Sequence, residues 1–241
     1  VKSIIYPLVK LAGILSIFGI SSCSIPSLPV ASPAAAVDSR RELTERVQNQ
    51  MEPAVLFVGN SYSFGVPKAF ATRVAAGGRK VIVGHSTFGG WTLERHAGSE
   101  MTLRKIRERH WDVVVFQEHS EIPALPSRKR ASLMVSPLLK LVNEARKQGS
   151  IPVLYQTWGR RDGDKNVAGD DFHSMMSRLR EGYQAAADDA GGLVVVPAGD
   201  AWEREVSAGR GARLFKDDGS HPSPLGNELT AEVFYETLFG K

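Results

Sequence analysis

The sequence predicts a three-layer α/β/α sandwich built on a five-stranded, mostly parallel sheet. Three observations carry that expectation. Five short runs, 55–58, 81–83, 113–116, 152–155 and 193–196, are almost wholly apolar and rich in valine, the pattern of strands buried on both faces. Stretches with helical spacing lie between and after them, at 67–76, 92–109, 128–148, 171–190 and 224–239. Four of the five runs end in polar or glycine residues: Asn60-Ser61, Gly84-His85-Ser86, Gln117-Glu118-His119 and Gln156-Thr157-Trp158. Ligands of a parallel sheet collect outside the carboxyl ends of its strands, so these four tips are where chemistry is expected.

The 241 residues are 42% hydrophobic and 23% charged, an ordinary globular composition. The formal charge of +4 includes Lys2 and Lys10, and without them it is +2. No basic stripe is interleaved with aromatics, so nucleic acid is not an expected partner. Residues 1–22 have a charged start, an apolar run from Leu11 to Ile20 and small Ser21-Ser22, the layout of a signal peptide. Cys23 is the one cysteine, which excludes an intrachain disulfide and a cysteine-based zinc site.

Residues 24–38 read as a Pro/Ala/Ser tether, and a short polar helix is expected from Arg40 to Gln50. Residues 51–241 then form one domain. Val55-Leu56-Phe57-Val58 is the first strand, followed by the turn signal Gly59-Asn60-Ser61 and a helix from Pro67. That order leaves the Ser61 hydroxyl at a strand's carboxyl end; read alone, Ser61 could equally be a helix N-cap. Helix 92–109 is polar over much of its length and packs by a narrow stripe. Leu133, Leu138, Leu141, Val142 and Ala145 form the apolar face of the next helix, with Gly149 as its stop. The polar loop 159–166 matches calcium-loop spacing only superficially, and no metal is expected there.

A serine hydroxyl needs a base, and the base needs an orienting group. The late segment Lys216-Asp217-Asp218-Gly219-Ser220-His221-Pro222-Ser223-Pro224 offers both. Asp218, three residues before His221, can bond Nδ1 and leave Nε2 to face Ser61. Asp217 competes for that role but stands four residues away. Pro224 suits the first turn of the terminal helix.

Gly-Asn-Ser at the first strand end together with a late Asp-x-x-His-Pro resembles the SGNH/GDSL hydrolase superfamily, in its branch that opens with GNS. The resemblance runs from residue 55 to about 239 and implies the flavodoxin-like sandwich already expected from the strand pattern. It implies Ser61 as nucleophile, His221 as base and then acid, and Asp218 as orienting carboxylate. It also implies an oxyanion hole made of the Ser61 N–H, a glycine N–H (Gly90, in Phe88-Gly89-Gly90-Trp91) and a side-chain amide after the third strand. Relatives carry Gly-x-Asn-Asp at that third position. Here the only amide is Gln117, with His119 as the alternative donor. Asn60 is expected to hold the turn and Glu118 to be a structural partner, for instance of an arginine. Trp91, His119 and Trp158 are candidates for the substrate cleft, and Phe172 is a further one.

Ile20-Ser21-Ser22-Cys23 resembles a bacterial lipobox, which implies acylation of Cys23 and, with Ser24 next, an outer-membrane address in the cell envelope. A plain secretory signal cleaved near Ala34-Ala35-Ala36 is the alternative. The function expected is hydrolysis of an O-acyl ester, acetyl or short-chain, on a small molecule or an acylated glycan, with no cofactor. An acyltransferase on the same scaffold is one alternative, and an inactive envelope binding protein is another.

Overall fold

The computed structural model describes residues 33–240; the signal segment and Cys23 lie outside the described residues. The chain opens with helix α1 (Pro33–Gln48), then β1 (Ala54–Gly59), a 3-10 turn (Ser61–Ser63) and α2 (Val66–Ala76). Next come β2 (Ile82–Thr87), α3 (Leu93–Ala97), α4 (Glu100–Arg107) and β3 (Val113–Phe116). Helix α5 (Ser127–Arg130) runs through a π-helical turn (Ala131–Val135) into α6 (Ser136–Lys147), and β4 (Ile151–Tyr155) follows. The chain closes with α7 (Phe172–Asp189), β5 (Val194–Val196), α8 (Ala198–Ser207) and α9 (Pro224–Phe239).

The five strands are all parallel in the order β2-β1-β3-β4-β5, so the expected sheet is observed. Its central strands are buried on both faces because side chains alternate across the sheet. Val55 and Phe57 of β1 point into a core shared with α1, α2, α8 and α9. Leu56 and Val58 point into a second core with α3, α4, α6 and most of α7. In the first core Phe57, Phe70 and Phe234 meet edge to face, with centroids 5.1 to 6.1 Å apart.

Four differences from the sequence expectation have physical reasons. Strand β2 continues through Gly84-His85-Ser86-Thr87, a stretch expected to be loop. It is an edge strand, so its side chains need not be apolar, and Gly84 is buried under Trp111. A Cβ at Gly84 would stand 2.3 Å from that ring. The expected helix 92–109 is two helices, broken at Gly98-Ser99. Helix α8 was absent from the expectation because Gly199 interrupts its helical signal; there the backbone passes so close to the Thr157 carbonyl that a Cβ would lie 2.3 Å from it. Helix α1 begins at Pro33, inside the expected tether, and Leu43 and Val47 are fully buried in the first core. No helix among the described residues is long and apolar enough to cross a membrane.

Candidate active site

The carboxyl edge of β1 is shaped by the residues after Gly59. Asn60 is extended (φ −123°) and caps the 3-10 turn, its Oδ1 accepting the Tyr62 N–H and its Nδ2 donating to the Trp91 carbonyl. Asn60 therefore does the capping, and the Ser61 hydroxyl is left to another partner. That partner is the His221 ring: Oγ lies 2.9 Å from Nε2.

His221 sits on a loop closed by an antiparallel bridge between Phe215 and Pro222, with Gly219 at φ +65° making the reversal. Pro222 is followed by Ser223, which caps α9 by accepting the Gly226 N–H, and by Pro224 at the helix start. Within the loop Asp218 Oδ1 accepts the backbone N–H groups of Ser220 and His221, each at 2.9 Å, and Oδ2 lies 2.6 Å from His221 Nδ1. Partial burial alone would raise the Asp218 pKa, but the two backbone N–H groups and the imidazole together outweigh it and hold the value down to about 2. The carboxylate is thus ionised at neutral pH; where it accepts the Nδ1 hydrogen, Nε2 is left able to accept from Ser61 Oγ–H. Asp217 makes no side-chain hydrogen bond to His221; its backbone carbonyl accepts from Arg161.

Tyr62 forms the wall behind this trio. Its ring stands edge-on to His221 at 5.4 Å, stacks on Trp158 at 5.0 Å, and its hydroxyl lies 2.5 Å from Ser220 Oγ. The sequence signalled nothing about Tyr62 beyond its place next to Ser61. Trp158 corrects an expectation. It is fully buried between Tyr62 and Trp202 (3.7 Å, 3° from parallel) and donates from Nε1 to the Ser220 carbonyl, so it supports the histidine loop and cannot line a cleft. Phe172 is likewise buried in the first core.

Two depressions flank Ser61 and His221. One, about 220 Å³, has Asn60, Tyr62, Gly90, His119, Ser120, Arg160 and Ser220 on its walls. The other, about 270 Å³, has Phe64, Gly65, Lys216, Asp218, Pro222 and Asn227. Gly90 has φ +72°, and a Cβ there would meet nothing within 4 Å, so this turn borders open space. Among the described residues neither the Gly90 nor the Ser61 backbone N–H is engaged in a hydrogen bond. Trp91 lies outside both depressions, packed on Phe88 with the Arg95 guanidinium over its ring.

Gln117 corrects a second expectation. It is fully buried below the turn, with Oε1 accepting from the Asn60 N–H (2.9 Å) and the Ser63 hydroxyl (3.0 Å). Its Nε2 donates to Asn60 Oδ1 (3.0 Å) and to the Glu118 carbonyl. A backbone N–H on one side and a backbone carbonyl on the other fix which end of the amide is which. Both donors are therefore spent on holding the turn, and none remains for an oxyanion. His119, in contrast, lines the 220 Å³ cleft. Burial, helped by the Arg160 charge and opposed by Glu121, lowers its pKa, so the ring is neutral at pH 7 and keeps one N–H.

Glu118 partners backbone rather than an arginine: Oε1 accepts from the N–H groups of His119 (2.6 Å) and of Leu93 (3.1 Å), at the start of α3. Complete burial drives its pKa up to about 8. Behind β1, His96 bridges the Gly59 carbonyl and Thr102, both at 2.9 Å, and burial brings its pKa down to about 4. Among the described residues no group of three or more His, Cys, Asp or Glu side chains is placed to hold a metal ion.

No protein-family model and no curated protein sequence matches the chain. Solved structures do. A candidate SGNH hydrolase from Slackia heliotrinireducens is 28% identical with a TM-score of 0.64, over 78% of this chain and 99% of its own. A DUF4886 family protein from Bacteroides uniformis has a TM-score of 0.70 at 20% identity, over 79% of this chain and 84% of its own. An acetyl xylan esterase has a TM-score of 0.56 at 15% identity, over 77% of this chain and 99% of its own. By these solved neighbours the chain has the fold of the SGNH/GDSL hydrolase superfamily.

Proposed function

We propose that the protein is a serine esterase that removes a short O-acyl group, acetyl above all, from a saccharide. The observation that carries the proposal is the line Ser61 Oγ, His221 Nε2, His221 Nδ1, Asp218 Oδ2, with spacings of 2.9 and 2.6 Å, beside the unengaged N–H groups of Ser61 and Gly90. His221 Nε2 takes the Ser61 proton as Oγ bonds to the ester carbon, and the carbonyl π electrons move onto oxygen. The oxyanion is met by the Ser61 and Gly90 N–H groups, with the His119 N–H as third donor. Collapse breaks the bond to the leaving alkoxide, which takes the proton from His221. Water then gives a proton to Nε2, attacks the acyl carbon, and Ser61 regains its hydrogen as the acid departs.

Acetyl xylan esterase among the neighbours supports the acyl and saccharide classes. Hydrolysis of p-nitrophenyl acetate tests the reaction: His221→Ala is expected to lower kcat by roughly a thousandfold or more. Wild-type turnover in that variant would remove His221 from the mechanism. The lipobox-like stretch ending at Cys23 supports an envelope-anchored enzyme, and Cys23→Ser is expected to move it from the membrane to the soluble fraction of cells.

A further inference from the structure

We propose that the cleft beside Ser61 opens into a groove for an extended carbohydrate chain, with Phe64 and Asn227 as its specificity-determining side chains. This rests on the esterase reading and adds that the saccharide is an extended chain rather than a single sugar. The depression of about 270 Å³ that holds Ser61 and His221 adjoins a second of about 370 Å³, which runs on past Lys68 and Thr72 between the starts of α2 and α9. Gly65 and Asn227 belong to the walls of both, so the two meet there. Small-molecule sites occupy roughly 300–1,000 Å³, so the first depression alone falls short and the two together reach that range.

The chemistry of the walls selects the occupant. Phe64 follows Ser61 by three residues and is 57% exposed, an unusual position for a phenyl ring. Its electron-rich face suits the C–H face of a sugar. Asn227 has a buried Oδ1 that accepts no hydrogen bond from the described residues. Asn227 lines both depressions, where its amide can exchange hydrogen bonds with a sugar hydroxyl. Gly65 lets Asn227 pack close between the two depressions: a Cβ there would stand 2.4 Å from Asn227 Nδ2. Farther along, Lys68, Thr72 and Glu228 give polar groups for further hydroxyls. A long acyl chain would need an apolar tunnel instead, whereas hydroxyl edges alternating with C–H faces match an open groove of mixed polarity.

Kinetics on O-acetylated xylo-oligosaccharides of one to six sugars, beside p-nitrophenyl acetate, test the proposal. Wild-type kcat/KM is expected to rise about tenfold from one sugar to four, through KM. Asn227→Ala, and Thr72→Trp as a plug on the exposed face of α2, are each expected to lose about tenfold more on the longest oligosaccharide than on p-nitrophenyl acetate. A flat dependence on chain length, or equal losses on both substrates, overturns the groove. Failure of wild type to hydrolyse p-nitrophenyl acetate overturns the esterase reading, and the groove falls with it.

Discussion

At the residue scale, neighbouring polar side chains after β3 do different work according to what already bonds them. Gln117 spends its amide on Asn60 and Ser63, so Gln117→Leu strands a buried backbone N–H. The expected result is a loss of about 1–3 kcal/mol of stability, read by urea unfolding. His119→Ala removes a partly buried side chain from the wall of the cleft. It is expected to lower kcat about a hundredfold with little change in the unfolding midpoint. Glu118 carries its proton in the folded state up to about pH 8 but ionises near its ordinary value once unfolded. The folded state thus binds more protons through that interval, and stability falls as pH rises from about 4.5 toward 8. Glu118→Gln, which mimics the neutral acid, is expected to flatten that fall in thermal melts taken across the range. An unchanged slope would contradict the assignment. The sequence offered His119 as an alternative donor and Glu118 as a structural partner, but it could not choose between Gln117 and His119, because a primary amide is written the same whether it points into a cleft or beneath it. The pairing of Ser61 with His221 was expected because Gly-Asn-Ser together with Asp-x-x-His-Pro resembles the SGNH/GDSL superfamily; either motif alone is a weak signal.

At the element scale, the apolar runs located the central strands to within a residue, because burial on both faces leaves a continuous hydrophobic signature. The elements the pattern hid are those held by close approach rather than by periodicity. Helix α8 is the clearest: Gly199 lets its backbone pass against the Thr157 carbonyl, and Met176 fills what space is left. Gly199→Ala would raise helix propensity at that position yet is expected to destabilise the protein by about 1–3 kcal/mol through overpacking, measured by denaturant unfolding. A stabilised variant would show that α8 does not sit where the glycine demands. Because Trp202 of α8 stacks on Trp158, and Trp158 holds the Ser220 carbonyl, this helix also backs the histidine loop.

At the scale of the whole molecule, two apolar layers clamp one sheet so that its first turn and its last loop meet over the same edge. Helix α1 belongs to that clamp. Leu43 and Val47 lie in the first core, Gln48 donates to the Phe239 carbonyl at 2.7 Å, and Arg46 donates to the Gly149 carbonyl. Leu43→Ala is therefore expected to cost about 2–5 kcal/mol in urea unfolding, where a mere tether would show almost nothing. On the proposed esterase reading, the clamp as a whole serves Ser61 as nucleophile. A fluorophosphonate reagent followed by peptide mass mapping tests that role directly. One adduct is expected, on Ser61, absent in Ser61→Ala and formed about a thousandfold more slowly in His221→Ala. An adduct on another residue, or equal labelling of Ser61→Ala, would contradict it.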